Sequence, residues 1–132
     1  MIEIYTDGAS QGNPGPSGAG IYIQSGTEIL SRSIPLPEMS NHEAEFHAVK
    51  HALDICKEHF SGEILSFRTD SKIVVDSVEK EYAKNKNFAP IVCDILRLTE
   101  SFPYVFFKWI PEKQNISADW LARKAIQDSK YQ

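Results

Sequence analysis

The first apolar pattern along the chain is an alternation, in which Ile2, Ile4 and Thr6 interleave with Glu3, Tyr5 and Asp7 before Gly8. A period of two predicts a strand over residues 2–7 that leads into a turn, with Asp7 at its C-terminal end. Residues 11–18 are dense in turn formers (Gly12, Asn13, Pro14, Gly15, Pro16, Gly18). Two further strand-like runs, 18–24 and 28–36, flank Ser25 and Gly26 and complete an antiparallel meander of three strands. From Asn41 to Phe60 the period becomes helical. Ala44, Ala48, Val49, Ala52, Leu53 and Cys56 share one side, and His47, Lys50, His51, Asp54, Lys57 and Glu58 the other. Glu45 falls on the apolar border. An unpartnered carboxylate there is expensive to bury, so it needs a cation or a hydrogen-bond network.

The second half alternates strands and helices. Glu63–Thr69 reads as a strand, and a helix runs from Asp70 and Ser71 to about Glu79, with Asp70 as its candidate cap. A polar, slightly basic break over residues 80–86 precedes a helix from Phe88 or Ala89 to Ser101. Then come a strand over Tyr104–Ile110, a loop over Pro111–Gln114 and a helix over Asn115–Asp128 capped by Asn115 or Ser117. The right-handed crossover rule turns this order into an α/β fold: a mixed five-stranded sheet, three strands antiparallel and then parallel ones, with helices on both faces. The first, fourth and fifth strands should be parallel neighbours. No repeat or linker divides the chain, so a single domain over residues 1–132 is expected.

Composition narrows the class without choosing the function. A chain of 132 residues with 42% hydrophobic and 24% charged residues can bury a core without disulfides or a structural metal. No apolar run approaches the ~20 residues of a membrane span. The N-terminus lacks the basic and apolar segments of a signal peptide, so a cytoplasmic protein with no membrane association is the expectation. Cys56 and Cys93 lack C-x-x-C spacing and sit in apolar helical patterns, which predicts two buried reduced thiols. The formal charge of −4 runs against the basic balance usual in nucleic-acid binders.

The chemistry gathers on carboxylates. Ligands of such sheets collect beyond the carboxyl ends of the parallel strands, where Asp7 and Asp70 both fall. If those strands are adjacent, roughly 5 Å apart, the two acids face one crevice and repel unless a cation lies between them. An oxygen-only donor set without His or Cys favours Mg²⁺, with Mn²⁺ as a substitute. Glu45 and Asp119 complete the candidate cluster; taken singly, each acid is equally a routine cap or a solvated group.

Five segments in order, Thr6 to Ser10, Gly12 to Gly15, Asn41 to Glu45, Thr69 to Ser71 and Asn115 to Ala122, resemble the motifs of type 1 ribonuclease H. The resemblance spans nearly the whole chain and implies the same mixed sheet. It assigns the catalytic and metal-binding quartet to Asp7, Glu45, Asp70 and Asp119, holding two Mg²⁺ ions with Asp7 as the candidate bridge. It also implies cleavage of the RNA strand of an RNA–DNA hybrid, leaving a 5′-phosphate and a 3′-hydroxyl. Hybrid contacts would come from Gly12, Asn13, Asn41, His42 and Ser71, through backbone amides, side-chain amides and the 2′-hydroxyl that marks RNA. Two Mg²⁺ ions would add four charges to the −4 and bring the formal total to zero. No obligate protein partner is implied.

The chain also departs from the pattern. Many family members carry a His in the loop before the last acid. Residues 109–118 contain none, and all four histidines lie between His42 and His59. Glu112 or Lys113 could partly replace it, but a carboxyl and an ammonium are by type poorer proton carriers near neutrality than an imidazole, so slow turnover is expected. His47 and His51 have a metal-compatible i, i+4 spacing but point to the outer side of their helix. The basic insertion that some members use to grip DNA is reduced to Lys80, Lys84 and Lys86, with Lys72, Lys108 and Lys113 as further phosphate candidates. Two other readings stay open: a paralogue that binds nucleic acid with little or no cleavage, and a nuclease acting on DNA.

Overall fold

Three hairpin-connected strands open the chain in the computed structural model, which describes residues 1–129: β1 (Ile2–Ser10), β2 (Gly15–Ser25) and β3 (Glu28–Met39). They are followed by α1 (Asn41–His59), β4 (Leu65–Thr69), α2 (Lys72–Lys80), α3 (Ala89–Thr99), β5 (Val105–Trp109), a single 3₁₀ turn (Glu112–Gln114) and α4 (Ile116–Ser129). The sheet order is β3-β2-β1-β4-β5. β1 is antiparallel to β2 and parallel to β4, which is parallel to β5. The expected mixed sheet and its parallel neighbours are therefore present.

Alternation along the strands sends one set of side chains into the main core. Ile4, Ile21, Ile23, Leu65 and Phe67 are fully buried and pack with Phe46, Val49, Leu53, Val74 and Ile95 from α1, α2 and α3. α4 covers the opposite face of β1, β2 and β3. Phe46, which the helical pattern did not single out, is among the largest fully buried side chains. No helix among the described residues is long and apolar enough to cross a membrane.

Several boundaries differ from the sequence reading, each for a local reason. The β1–β2 ladder continues beyond Asp7 through Gly8↔Ala19, Ala9↔Gly18 and Ser10↔Ser17, so Asp7 lies inside its strand. The parallel pairing with β4 ends earlier, at Tyr5↔Arg68, which leaves Asp7 just past that ladder. β3 runs through Pro35 and Pro37 because it is an edge strand, where a missing donor is tolerated. Ser71, not Asp70, caps α2, its hydroxyl accepting from the Val74 amide at 3.4 Å. Asn115 directly precedes α4, yet its amide is turned into the sheet and supplies no cap. Cys93 is exposed, correcting the expectation of two buried thiols; it lies on the outer side of α3. Cys56 is buried, and burial pushes its thiol up to about 12, which keeps it unreactive.

Two connections shape the rim of the sheet. A capping box starts α1: the Ser40 hydroxyl accepts from the Glu43 amide and the Glu43 carboxylate accepts from the Ser40 amide, both at 3.2 Å. α2 ends at Glu81 in the left-handed conformation, φ 57°, and the connector to α3 is exposed apart from half-buried Ala83. Phe88 closes that connector with its ring 5.1 Å from Phe46.

Candidate active site

Two close approaches bring the acids together. Gly8 on β1 faces the α1 backbone at Ala44 and Glu45, and a β-carbon there would overlap both. That contact lets the start of α1 carry Glu45 up to Asp7. Gly20, opposite Asp7 on β2, meets the backbone of Ala118 and Ala122 in the same way, so α4 sits down on the sheet beside Asp119. Asp70 follows the last residue of β4, next to β1.

The result is one cleft of about 780 Å³, bordered by Asp7, Glu45, Asp70 and Asp119. Ligand oxygens of Asp7, Glu45 and Asp70 all lie within 4.8 Å of one another. Asp119 borders the same cleft outside that trio, and Arg123 donates from Nε to its Oδ1 at 3.2 Å. The sequence-derived quartet is thus placed as three clustered carboxylates and a fourth, Asp119, that meets Asp7 while pairing with Arg123 on its own helix.

Electrostatics mark Asp7 as the strained member. Burial first, then the charge of Asp70, a hydrogen bond with Asp119 and the charges of Asp119 and Glu45, push its carboxyl from 3.8 up to about 9. Such a group is protonated at neutral pH unless a cation replaces the proton. Burial also raises Glu45, opposed by hydrogen bonds from His42 and Ser71. The His42–Glu45 contact spans 2.9 Å between Nδ1 and Oε1. An all-oxygen trio with one member driven into its neutral form fits a hard divalent cation, and Asp7, Glu45 and Asp70 would hold it.

Asn115 is the residue that sequence reasoning undervalued. It is buried, and its Nδ2 donates to the Thr6 carbonyl at 2.9 Å and to Asp70 Oδ1 at 3.3 Å, tying β1 to the Asp70 carboxylate. Trp109 Nε1 donates to the Asp70 carbonyl at 3.2 Å from the end of β5. The Arg123 contact was legible as an i, i+4 pair with Asp119. The direction of Asn115 was not, because only the packing of α4 against β1 sets it.

The expected hybrid contacts divide. Asn41 borders the cleft and His42 is exposed while bound to Glu45. Gly12, at φ 132°, and Asn13 form an exposed turn near the cleft but do not line it, whereas Gln11 does. Ser71 is buried as the α2 cap and a Glu45 partner. Glu112 borders the cleft, and Lys72, Lys108 and Lys113 are exposed. Among the described residues, His47 and His51 join no metal-competent cluster of three; both are half-buried, and burial lowers both imidazoles.

A sheet of this order with carboxylates at the mouth between β1 and β4 is the architecture of a nuclease fold, and the comparisons agree. The model of the reverse transcriptase-like family matches residues 5–125. The chain belongs to that family, and its likeness to ribonuclease H1 over nearly its whole length places it with the type 1 ribonucleases H. It is 43% identical over 129 residues to EbsB of Enterococcus faecalis (strain ATCC 700802 / V583), named as a candidate hydrolase, covering 96% of this chain and 95% of that protein. It is 39% identical over 79 residues to ribonuclease H of Erythrobacter litoralis (strain HTCC2594), a match that takes in 60% of this chain and 53% of the relative. Among solved structures, LC11-RNase H1 in complex with an RNA/DNA hybrid superposes with a TM-score of 0.89 at 30% identity, covering 98% of this chain and 99% of that one.

Proposed function

We propose that the protein is an endonuclease that hydrolyses the RNA strand of RNA–DNA hybrids, using two Mg²⁺ ions and leaving 5′-phosphate and 3′-hydroxyl ends. The observation that carries this reading is the convergence of Asp7, Glu45 and Asp70 in one cleft, with Asp7 pushed up to about 9 when no cation neutralises it. Likeness to a ribonuclease H1 solved with a hybrid supplies the substrate class. When bound, magnesium supplies Lewis acidity for a water nucleophile and for the charge that grows on the departing 3′ oxygen.

The protein's part is orientation and charge. Asp7, fixed on the central β1, presents a carboxylate within 4.8 Å of those of Glu45 and Asp70. Asn115 holds Asp70 by a hydrogen bond to one oxygen and leaves the other free as a ligand. His42 holds one Glu45 oxygen in the same manner. Asp119 meets Asp7 from α4 and pairs with Arg123 on its outer side, a position from which a carboxylate would accept a proton or complete a second ion's ligands. Asn41 and His42 stand at the start of α1, the side from which a 2′-hydroxyl would be read.

The Arg123–Asp119 pair, together with a segment 109–118 free of histidine, favours a second reading in which the cleft holds nucleic acid and cuts it slowly or not at all. Labelled hybrid, RNA duplex and DNA duplex incubated with Mg²⁺ or Mn²⁺ separate the two. Cutting confined to the RNA of the hybrid is the expected result. Hybrid binding without cleavage in either metal establishes the binding module, and cleavage of DNA duplex overturns both.

A further inference from the structure

The outer face of the sheet carries a second surface that hydrolysis leaves unused. Pairing across β2, β1, β4 and β5 sets Tyr22, Tyr5, Arg68 and Lys108 in one row, with Phe106 in the next row beside Ser66. α4 packs over β1, β2 and β3, and the β5 end of this face is open: Tyr104 is 64% and Phe106 49% exposed. Their rings stack nearly parallel, 5.7 Å apart at 5°. The Arg68 guanidinium lies 5.5 Å over the Tyr5 ring, and Tyr5 meets Tyr22 edge-on at 6.1 Å. Arg68 is neutralised by Glu3, but Lys108 and Lys113 form no ion pair among the described residues. Lys113 borders a 230 Å³ pocket with Tyr5, Tyr22 and Gln24.

We propose that this aromatic and basic face is a stacking platform for an unpaired nucleic-acid strand. Rings standing on a sheet offer bases a π-face whatever their identity, while nearby lysines track the phosphates. On the row of the sheet that carries the rings the unpaired charge is Lys108, with Lys113 beyond it beside Glu112, and a cation set among exposed rings complements a phosphate chain. A second copy of the chain is a poorer occupant, because a two-fold contact would oppose lysines of like sign and Lys108 blunts pairing at the β5 edge. Tyr5 precedes Asp7 by two residues on the same face, about 7 Å by strand rise. A strand on the platform therefore approaches the carboxylate cleft, with the turn at Glu112–Gln114 between them.

The test is anisotropy of labelled oligo(dT) and oligo(rU) in chelator, across a salt series, so that binding is read without cleavage. The full chain should bind both, since stacking is sequence-tolerant. Phe106→Ala should weaken binding about tenfold, in line with the loss of one stacked base. Lys108→Gln, which leaves the rings intact, should lower the salt slope by about one. Phe106→Ala should still cut a blunt hybrid at the parent rate. Unchanged affinity in both variants, no binding by the parent chain, or a Phe106-dependent dimer in sedimentation without strand binding each overturns the platform. Blunt-hybrid cleavage without strand binding removes this inference and leaves the nuclease reading intact; strand binding without cleavage does the reverse.

Discussion

Asp7 is where position and chemistry meet most tightly, because its strand has neighbours on both sides and its carboxyl faces Glu45, Asp70 and Asp119. With its folded value raised to about 9 from 3.8, the folded protein keeps a proton that the unfolded chain releases. Stability in chelator should therefore fall as pH rises from about 4 to about 9, Glu45 adding in the same direction, and saturating Mg²⁺ should flatten the slope. Thermal melts across that window check it, and Asp7→Asn should remove most of the slope. Asp70→Asn should fold normally and lose more than about a hundredfold in hybrid cleavage, while Asn115→Ala, which frees Asp70 to swing, should lose about ten- to a hundredfold. Parent-level turnover in Asp70→Asn would refute its role as a ligand. The four acids were legible as candidates in the sequence. Their unequal standing was not, since the trio's convergence and the Arg123 hold on Asp119 depend on how helices meet the sheet.

At the scale of elements, contact between smooth surfaces does the positioning. The α1 backbone reaches Asp7 only because Gly8 has no side chain. Gly8→Ala should cost on the order of 1–3 kcal/mol, or more, through overpacking and should weaken Mg²⁺-induced stabilisation by displacing Glu45. Denaturant melts with and without Mg²⁺ measure both effects; a loss of stability with Mg²⁺ binding untouched would detach Gly8 from the site. Periodicity recovered each helix and strand because period-two and period-3.6 patterns report burial directly. It failed at β1 beyond Asp7 and at β3 beyond Leu36, where glycines and prolines continue a ladder that carries no alternation. It misplaced Cys93 because a helix packed on one side leaves other apolar positions in solvent.

For the whole molecule the charge balance sets the terms of binding. A net −4 chain without a basic insertion should hold hybrid modestly, and its affinity should fall steeply with salt. Titration of blunt hybrid by the Asp70→Asn variant in Mg²⁺, over a range of ionic strength, checks this; salt-insensitive binding would contradict it. The connector from Glu81 to Phe88 bears on the same weakness. It leaves α2 through a left-handed residue, crosses exposed positions and is secured again by Phe88, which packs against Phe46 and meets His42 edge-on at 6.2 Å. Doubling a surface loop costs only about 0.6 kcal/mol. Transplanting a cationic arm into this span should tighten the grip on duplexes while the melting temperature barely moves, which makes the connector the natural port for adding the cationic surface that the rest of the chain lacks.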